Sequence, residues 1–163
     1  MGEPVFKARE LIEQNNVNVF STNFALYGDM SKRVMSLLSS MSPDIEIYSI
    51  DEAFMDFSGI QDCFKLGFEM RDTVARHTGI PISIGVAKTK TLAKVANYYV
   101  KHNTEKDVCV LHDKNQIGDI LKSMPVSKVW GIGSRYAKML NSYGVKNAFD
   151  FILLDENWVL KKM

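Results

Sequence analysis

Apolar residues recur three to four positions apart through much of the chain, and short alternating runs stand between them, so helices and brief strands are expected in turn. Pro4 suits a first helical turn, and Val5, Ala8, Leu11 and Ile12 follow at helical spacing, which predicts a short opening helix. Residues 16–20 (NVNVF) alternate like a brief strand. A longer helix is expected where Leu26, Met30, Val34, Leu37 or Leu38, and Met41 recur, closed by Ser42 and Pro43. Residues 45–58 read as two strands rich in Ile, Tyr and Phe, bent at Asp51 and Glu52. Leu66, Met70 and Val74 predict a helix over 62–77, ended by Gly79 and Pro81. A buried strand at 82–87, a helix at 89–101 and a strand at 108–111 complete the series.

That order predicts an α+β fold: a sheet covered by helices on one face, of the split βαβ or ferredoxin-like kind. Such a unit should begin with a central strand, whereas this chain opens with a polar helix. The fold is therefore expected to start part-way through. From Asp113 the texture changes to short helices separated by turn residues, so a second, all-helical module is expected from about residue 113.

Composition narrows the class without naming a function. With 46% apolar and 24% charged residues, the 163-residue chain fits neither a disordered nor a low-complexity segment. No run approaches the roughly 20 apolar residues of a membrane span, and MGEPVFKARE lacks the apolar core of a secretory signal, so the cytoplasm is the expected location. Cys63 and Cys109 stand apart with no C-x-x-C and are expected to be packed thiols. The net charge of +1 hides an asymmetry. Residues 1–60 carry four Lys or Arg against nine Asp or Glu, and residues 61–163 carry sixteen against ten. An acidic half joined to a basic half points to a carboxylate or metal site beside a polyanion-binding surface.

Three local patterns carry chemistry. Neighbouring strand residues point to opposite faces, so Asp51 and Glu52 can address one ion only where the chain bends, and the hairpin supplies that bend. Two hard oxygen ligands suit Mg2+, which keeps much of its shell for water and phosphate. A plain polar turn would use the same acids, although no Asn-Gly eases this one. On the helix at 89–101, Lys90, Lys94, Asn97 and Lys101 fall within about 60° of arc, opposite Leu92, Val95, Ala96, Tyr99 and Val100. Thr89 is the expected N-cap, with Lys88 just before it. Such a row matches a run of phosphates, and equally a solvated lysine face. In the third pattern, Gly131 and Gly133 flank Ile132, Ser134 then starts a helix bearing Arg135 and Lys138, and Gly144 ends it. The wider pattern V-x-x-V-W-G-I-G-x-x-x-A-x-x-L-x-x-x-G looks like a helix-hairpin-helix, which grips a nucleic-acid backbone without reading sequence. His77, His102 and His112 are scattered and are not expected to ligate metal. Trp130 and Trp158 are expected to pack the second module, and nothing in the spacing of Tyr48 or Tyr98 marks them as substrate contacts.

S-I-D-E-A-F at 49–54, V-A-K-T-K-T-L-A-K-V-A-N at 86–97 and V-W-G-I-G at 129–133, in that order, resemble the Y-family translesion DNA polymerases. A run at 20–35, F-S-T-N-F-A-L-Y-G-D-M-S-K-R-V-M, resembles the branch that works in the SOS response with a UmuD-type subunit. The resemblance implies error-prone, Mg2+-dependent nucleotidyl transfer on primer-template DNA from deoxynucleotide triphosphates. It implies that Asp51 and Glu52 ligate catalytic magnesium, that Lys101 reaches the triphosphate, and that the turn at Gly131 and Gly133 contacts duplex phosphates. Lys88, Lys90, Lys94, Ser134, Arg135 and Lys138 are the further expected backbone contacts. Residues 1–20 would be the last of the fingers, 21–112 most of the palm and 113–163 the thumb. A recombinase filament and a sliding clamp are the other implied partners, and no membrane is. Family members carry a first strand with another metal-binding aspartate and a steric-gate aromatic, and a C-terminal little finger, none of which matches residues here. Two ions about 4 Å apart need more than two carboxylates of one hairpin, so the chain is expected to be a piece of a polymerase and inactive alone. Two alternatives use the same patterns: a non-catalytic helix-hairpin-helix DNA-binding protein and, less well served by a duplex grip, a palm-type nucleotide cyclase.

Overall fold

The computed structural model describes residues 3–42, 44–103 and 106–163. The chain runs α1 (Arg9–Gln14), α2 (Phe24–Met41), β1 (Ile45–Ile47), β2 (Ala53–Met55), α3 (Cys63–Thr78), β3 (Ile84–Val86), α4 (Lys90–Asn103), β4 (Val108–Val110), α5 (Lys114–Ser123), a 3-10 turn (Val126–Lys128), α6 (Ser134–Ser142), α7 (Ala148–Ile152) and α8 (Glu156–Lys162). The mixed α/β character read from the sequence is present. The strands form two small sheets instead of one: β1 and β2 pair antiparallel, and β3 and β4 pair parallel.

Local sequence explains the helix limits. The Asn23 side chain caps α2 by accepting from the Leu26 amide, and Asp62 does the same for α3 through Lys65. Ser42 ends α2 in extended backbone; its expected partner in that stop, Pro43, lies outside the described residues. The expected strand at 16–20 is absent. Val17 and Val19 are exposed, Phe20 is 85% exposed, and no strand pairs with them. Alternation marks a surface able to pair, and without a partner the backbone gains no ladder. The opening helix is also shorter than expected, because Pro4 starts a turn and α1 begins only at Arg9, burying nothing.

Three apolar clusters hold the elements together. Val34, Met35 and Leu38 of α2 meet Met70 and Val74 of α3 beneath Ile45, Ala53 and Met55 of the hairpin. The α2 stripe is thus buried only from Val34 onward, while Leu26 at its start is exposed. The β3–β4 pair is covered on both faces, which corrects the one-faced expectation. Val108 lies against Gly67 of α3, and Gly85 on the opposite face lies against the backbone of α4. A Cβ at Gly85 would sit 2.3 Å from the Ala93 carbonyl oxygen and 2.4 Å from the Asn97 nitrogen, so only glycine permits this approach.

The second cluster joins Val95, Ala96 and Val100 of α4 with Leu111 and with Ile120 and Leu121 of α5. Apolar packing therefore runs on across residue 113, where Asp113 caps α5 through the Gln116 amide. Cys109 is buried there, and the apolar surroundings push its thiol pKa up, as suits a packed thiol. The third cluster, Val126, Ile132, Ala137, Leu140 and Val145 with Trp158, belongs to the C-terminal helices.

Candidate metal and nucleic-acid site

The register of β1 and β2 sorts the hairpin into two faces. Glu46 pairs with Phe54 and Ile47 with Ala53, and both the Tyr48 and Ser49 amides donate to the Glu52 carbonyl at 3.0 Å. Ile45, Ala53 and Met55 go into the core, which leaves Glu46, Tyr48, Glu52 and Phe54 on the opposite face. Helix α4 supplies the counter-charges. Lys90 pairs with Glu46 and Lys94 with Glu52, and their ammonium groups stand 5.2 Å from the Phe54 ring centre and 6.0 Å from that of Tyr48.

Asp51 lies in the turn itself, exposed, with one carboxylate oxygen accepting the Ser49 hydroxyl at 2.6 Å. Glu52 is the first residue past the turn, 37% exposed, with Lys94 only 26% exposed beside it. Among the described residues, no three His, Cys, Asp or Glu side chains form a ready metal cage. Two carboxylates at an open turn do fit a hard cation that fills the rest of its shell with water and phosphate. They do not fix two ions.

The cation row of α4 is therefore partly engaged. Lys90 and Lys94 face the hairpin, and Asn97 donates to the Ser83 carbonyl at 2.7 Å. Lys101, seven residues beyond Lys94 and so about 10 Å along the axis, is exposed, as is Lys88 at the other end. Thr89 caps the helix as expected, its hydroxyl oxygen accepting from the Leu92 amide at 3.2 Å.

In the C-terminal module, Gly131 takes φ +90, and Gly133 precedes α6 without a side-chain cap. Ser134, Arg135 and Lys138 are exposed on the helix that follows, and Ile132 plugs the turn into the third cluster. Trp158 packs within this module, 5.0 Å from Tyr143 between ring centres. Trp130 does not, contrary to expectation. It packs on the hairpin, at 5.4 Å from Tyr48 and 5.5 Å from Phe54, and its indole N–H donates to the Tyr48 hydroxyl at 3.2 Å. The structure thus brings the β1–β2 hairpin, the first turns of α4 and Trp130 together. Glu46, Tyr48, Phe54 and Trp130 were missed from sequence; alternation along the hairpin was the signal for the first three, and Trp130 left none.

Several known proteins resemble this chain in sequence or in fold. The chain is 42% identical to the protein UmuC of Salmonella typhimurium, over 99% of its own length and 39% of that protein's. It superposes with a TM-score of 0.77 on a Dbh DNA polymerase captured as an insertion ternary complex, with 25% identity, covering 98% of this chain and 46% of the other. A DinB-family error-prone DNA polymerase from Sulfolobus solfataricus gives a TM-score of 0.76 at 26% identity, covering 99% and 48%. The chain spans less than half the length of each. Residues 1–98 match the impB/mucB/samB family, and the chain belongs to that family.

Proposed function

We propose that this chain is the palm and thumb portion of an error-prone, lesion-bypassing DNA polymerase that copies primer-template DNA from deoxynucleotide triphosphates. The observation that supports this best is the contact of Trp130, directly before the glycine turn, with Tyr48 of the hairpin that carries Asp51 and Glu52, beside the Lys94–Glu52 pair. In this reading Asp51 and Glu52 hold Mg2+, which when bound stabilises the charge that develops on the transferring phosphoryl group. Lys101 reaches the triphosphate. Gly131, Gly133, Ser134, Arg135 and Lys138, together with Lys88, Lys90 and Lys94, contact the DNA backbone, and the α6 N-terminus presents amides to a phosphate.

In this reading the β1–β2 and β3–β4 pairs are parts of a ferredoxin-like palm. Residues 1–20 then belong to the fingers, 21–112 to the palm and 113–163 to a thumb carrying a helix-hairpin-helix. A cytoplasmic location and a UmuD-type subunit, recombinase filament and sliding clamp as partners belong to the same reading; among the described residues, no helix is long and apolar enough to cross a membrane.

The test is Mg2+-dependent primer extension by an intact polymerase built on this chain. Asp51→Ala should remove several kcal/mol of transition-state stabilisation, about 10³-fold in rate. Undiminished extension by that variant would refute the assignment.

A further inference from the structure

Trp130 lies outside all three buried clusters, so core packing does not account for its position. It is the residue directly before Gly131, whose left-handed φ starts the glycine turn. From it a short line of contacts leads to the acids. The indole N–H donates to the Tyr48 hydroxyl at 3.2 Å, the Tyr48 amide donates to the Glu52 carbonyl at 3.0 Å, and the Glu52 carboxylate is held by Lys94. The Tyr48 and Trp130 rings meet edge to face at 84°, a geometry that fixes direction as well as distance. Residues 82 apart in sequence are thereby joined.

We propose that Trp130 is a positioning residue that pins the glycine turn to the carboxylate hairpin, so that DNA held at the turn lies within the field of whatever ion the carboxylates bind. This rests on the reading of Asp51 and Glu52 as the metal site. The consequence is electrostatic. Without an ion the carboxylates repel a nearby phosphodiester chain, Glu52 less strongly because Lys94 pairs with it, and an ion seated on them removes that repulsion, but only while turn and hairpin stay together. Without the pin, the turn and α6 still grip phosphates, and they do so without regard to the ion.

The readout is the affinity of a fluorescently labelled primer-template duplex, by anisotropy, in Mg2+ and in NaCl of matched ionic strength with chelator. Mg2+ also competes for phosphates, so each chain is referred to Glu52→Gln, which keeps that competition and weakens the ion site. Relative to Glu52→Gln, the unaltered chain should gain about fivefold or more from Mg2+. Trp130→Ala should bring the gain to about one, and Trp130→Phe, which keeps an aromatic edge, should retain most of it. Tyr48→Ala removes the hydrogen bond and one of the two ring contacts from the hairpin side, leaving Phe54, and should lose a large part of the gain, which covers the case in which Trp130→Ala fails to fold. If the unaltered chain and Glu52→Gln respond alike, the carboxylates hold no ion and the metal reading falls together with this one. If they differ and a folded Trp130→Ala or Tyr48→Ala keeps the full gain, only the pinning role is overturned.

Discussion

Lys94 is where charge, packing and placement meet. Its ammonium neutralises Glu52 and stands over the Tyr48 ring, and only 26% of the side chain is exposed. A half-exposed pair of this kind contributes about 1 kcal/mol or less. Its larger effect is on the ion: a positive charge on Glu52 opposes a cation arriving at the same oxygens. Lys94→Ala is therefore expected to leave the thermal midpoint within a few degrees while tightening Mg2+ binding, measured by calorimetry; weaker Mg2+ binding in that variant would mean that Lys94 orients Glu52 and does not compete for it. At this scale the sequence carried the acids and the lysine spacing but not their pairing. Two acids in a turn lacking glycine, and lysines on one arc of a helix, are local patterns. The Lys90–Glu46 and Lys94–Glu52 contacts join positions 44 and 42 apart, and no local pattern reports such pairs.

Helix α4 is the element on which the site depends, and Gly85 sets its distance from the sheet. Any Cβ there would collide with helix backbone, which cannot swing aside as a side chain can. Gly85→Ala must push α4 outward and carry Lys90 and Lys94 away from the hairpin. A loss of roughly 1–3 kcal/mol follows from such overpacking, together with weaker duplex binding, and a denaturant melt run beside an anisotropy titration checks both. A variant as stable as the parent would show that α4 does not approach as closely as described. Helices and strands with partners were legible from periodicity, since Met70, Val74 and Leu38 are buried where their spacing predicts. At 16–20 the alternation of Val17 and Val19 gives no strand, since among the described residues no strand pairs with them. Trp130 was assigned to its own module because nothing in V-W-G-I-G says which way an indole turns.

Across the whole molecule, the acidic and basic halves meet where Lys90 and Lys94 of α4 pair with Glu46 and Glu52 of the hairpin. Apolar packing passes from α4 to α5 across residue 113, and Trp130, directly before the glycine turn, is hydrogen-bonded to Tyr48 of the hairpin. The charge asymmetry visible in the sequence is the basis for expecting an acidic site beside a basic surface. That the strands form two separate pairs was not legible, because strand order depends on contacts between distant segments. In the proposed reading, a divalent cation enters this assembly at Asp51 and Glu52. Crystals of the chain soaked in Mn2+, a stand-in for Mg2+ with an anomalous signal, test it most directly. The account predicts an anomalous peak at coordination distance, roughly 2.1 Å, from carboxylate oxygens of Asp51 and Glu52, with Lys94 displaced; a strong peak elsewhere, with Glu52 still held by Lys94, would contradict it.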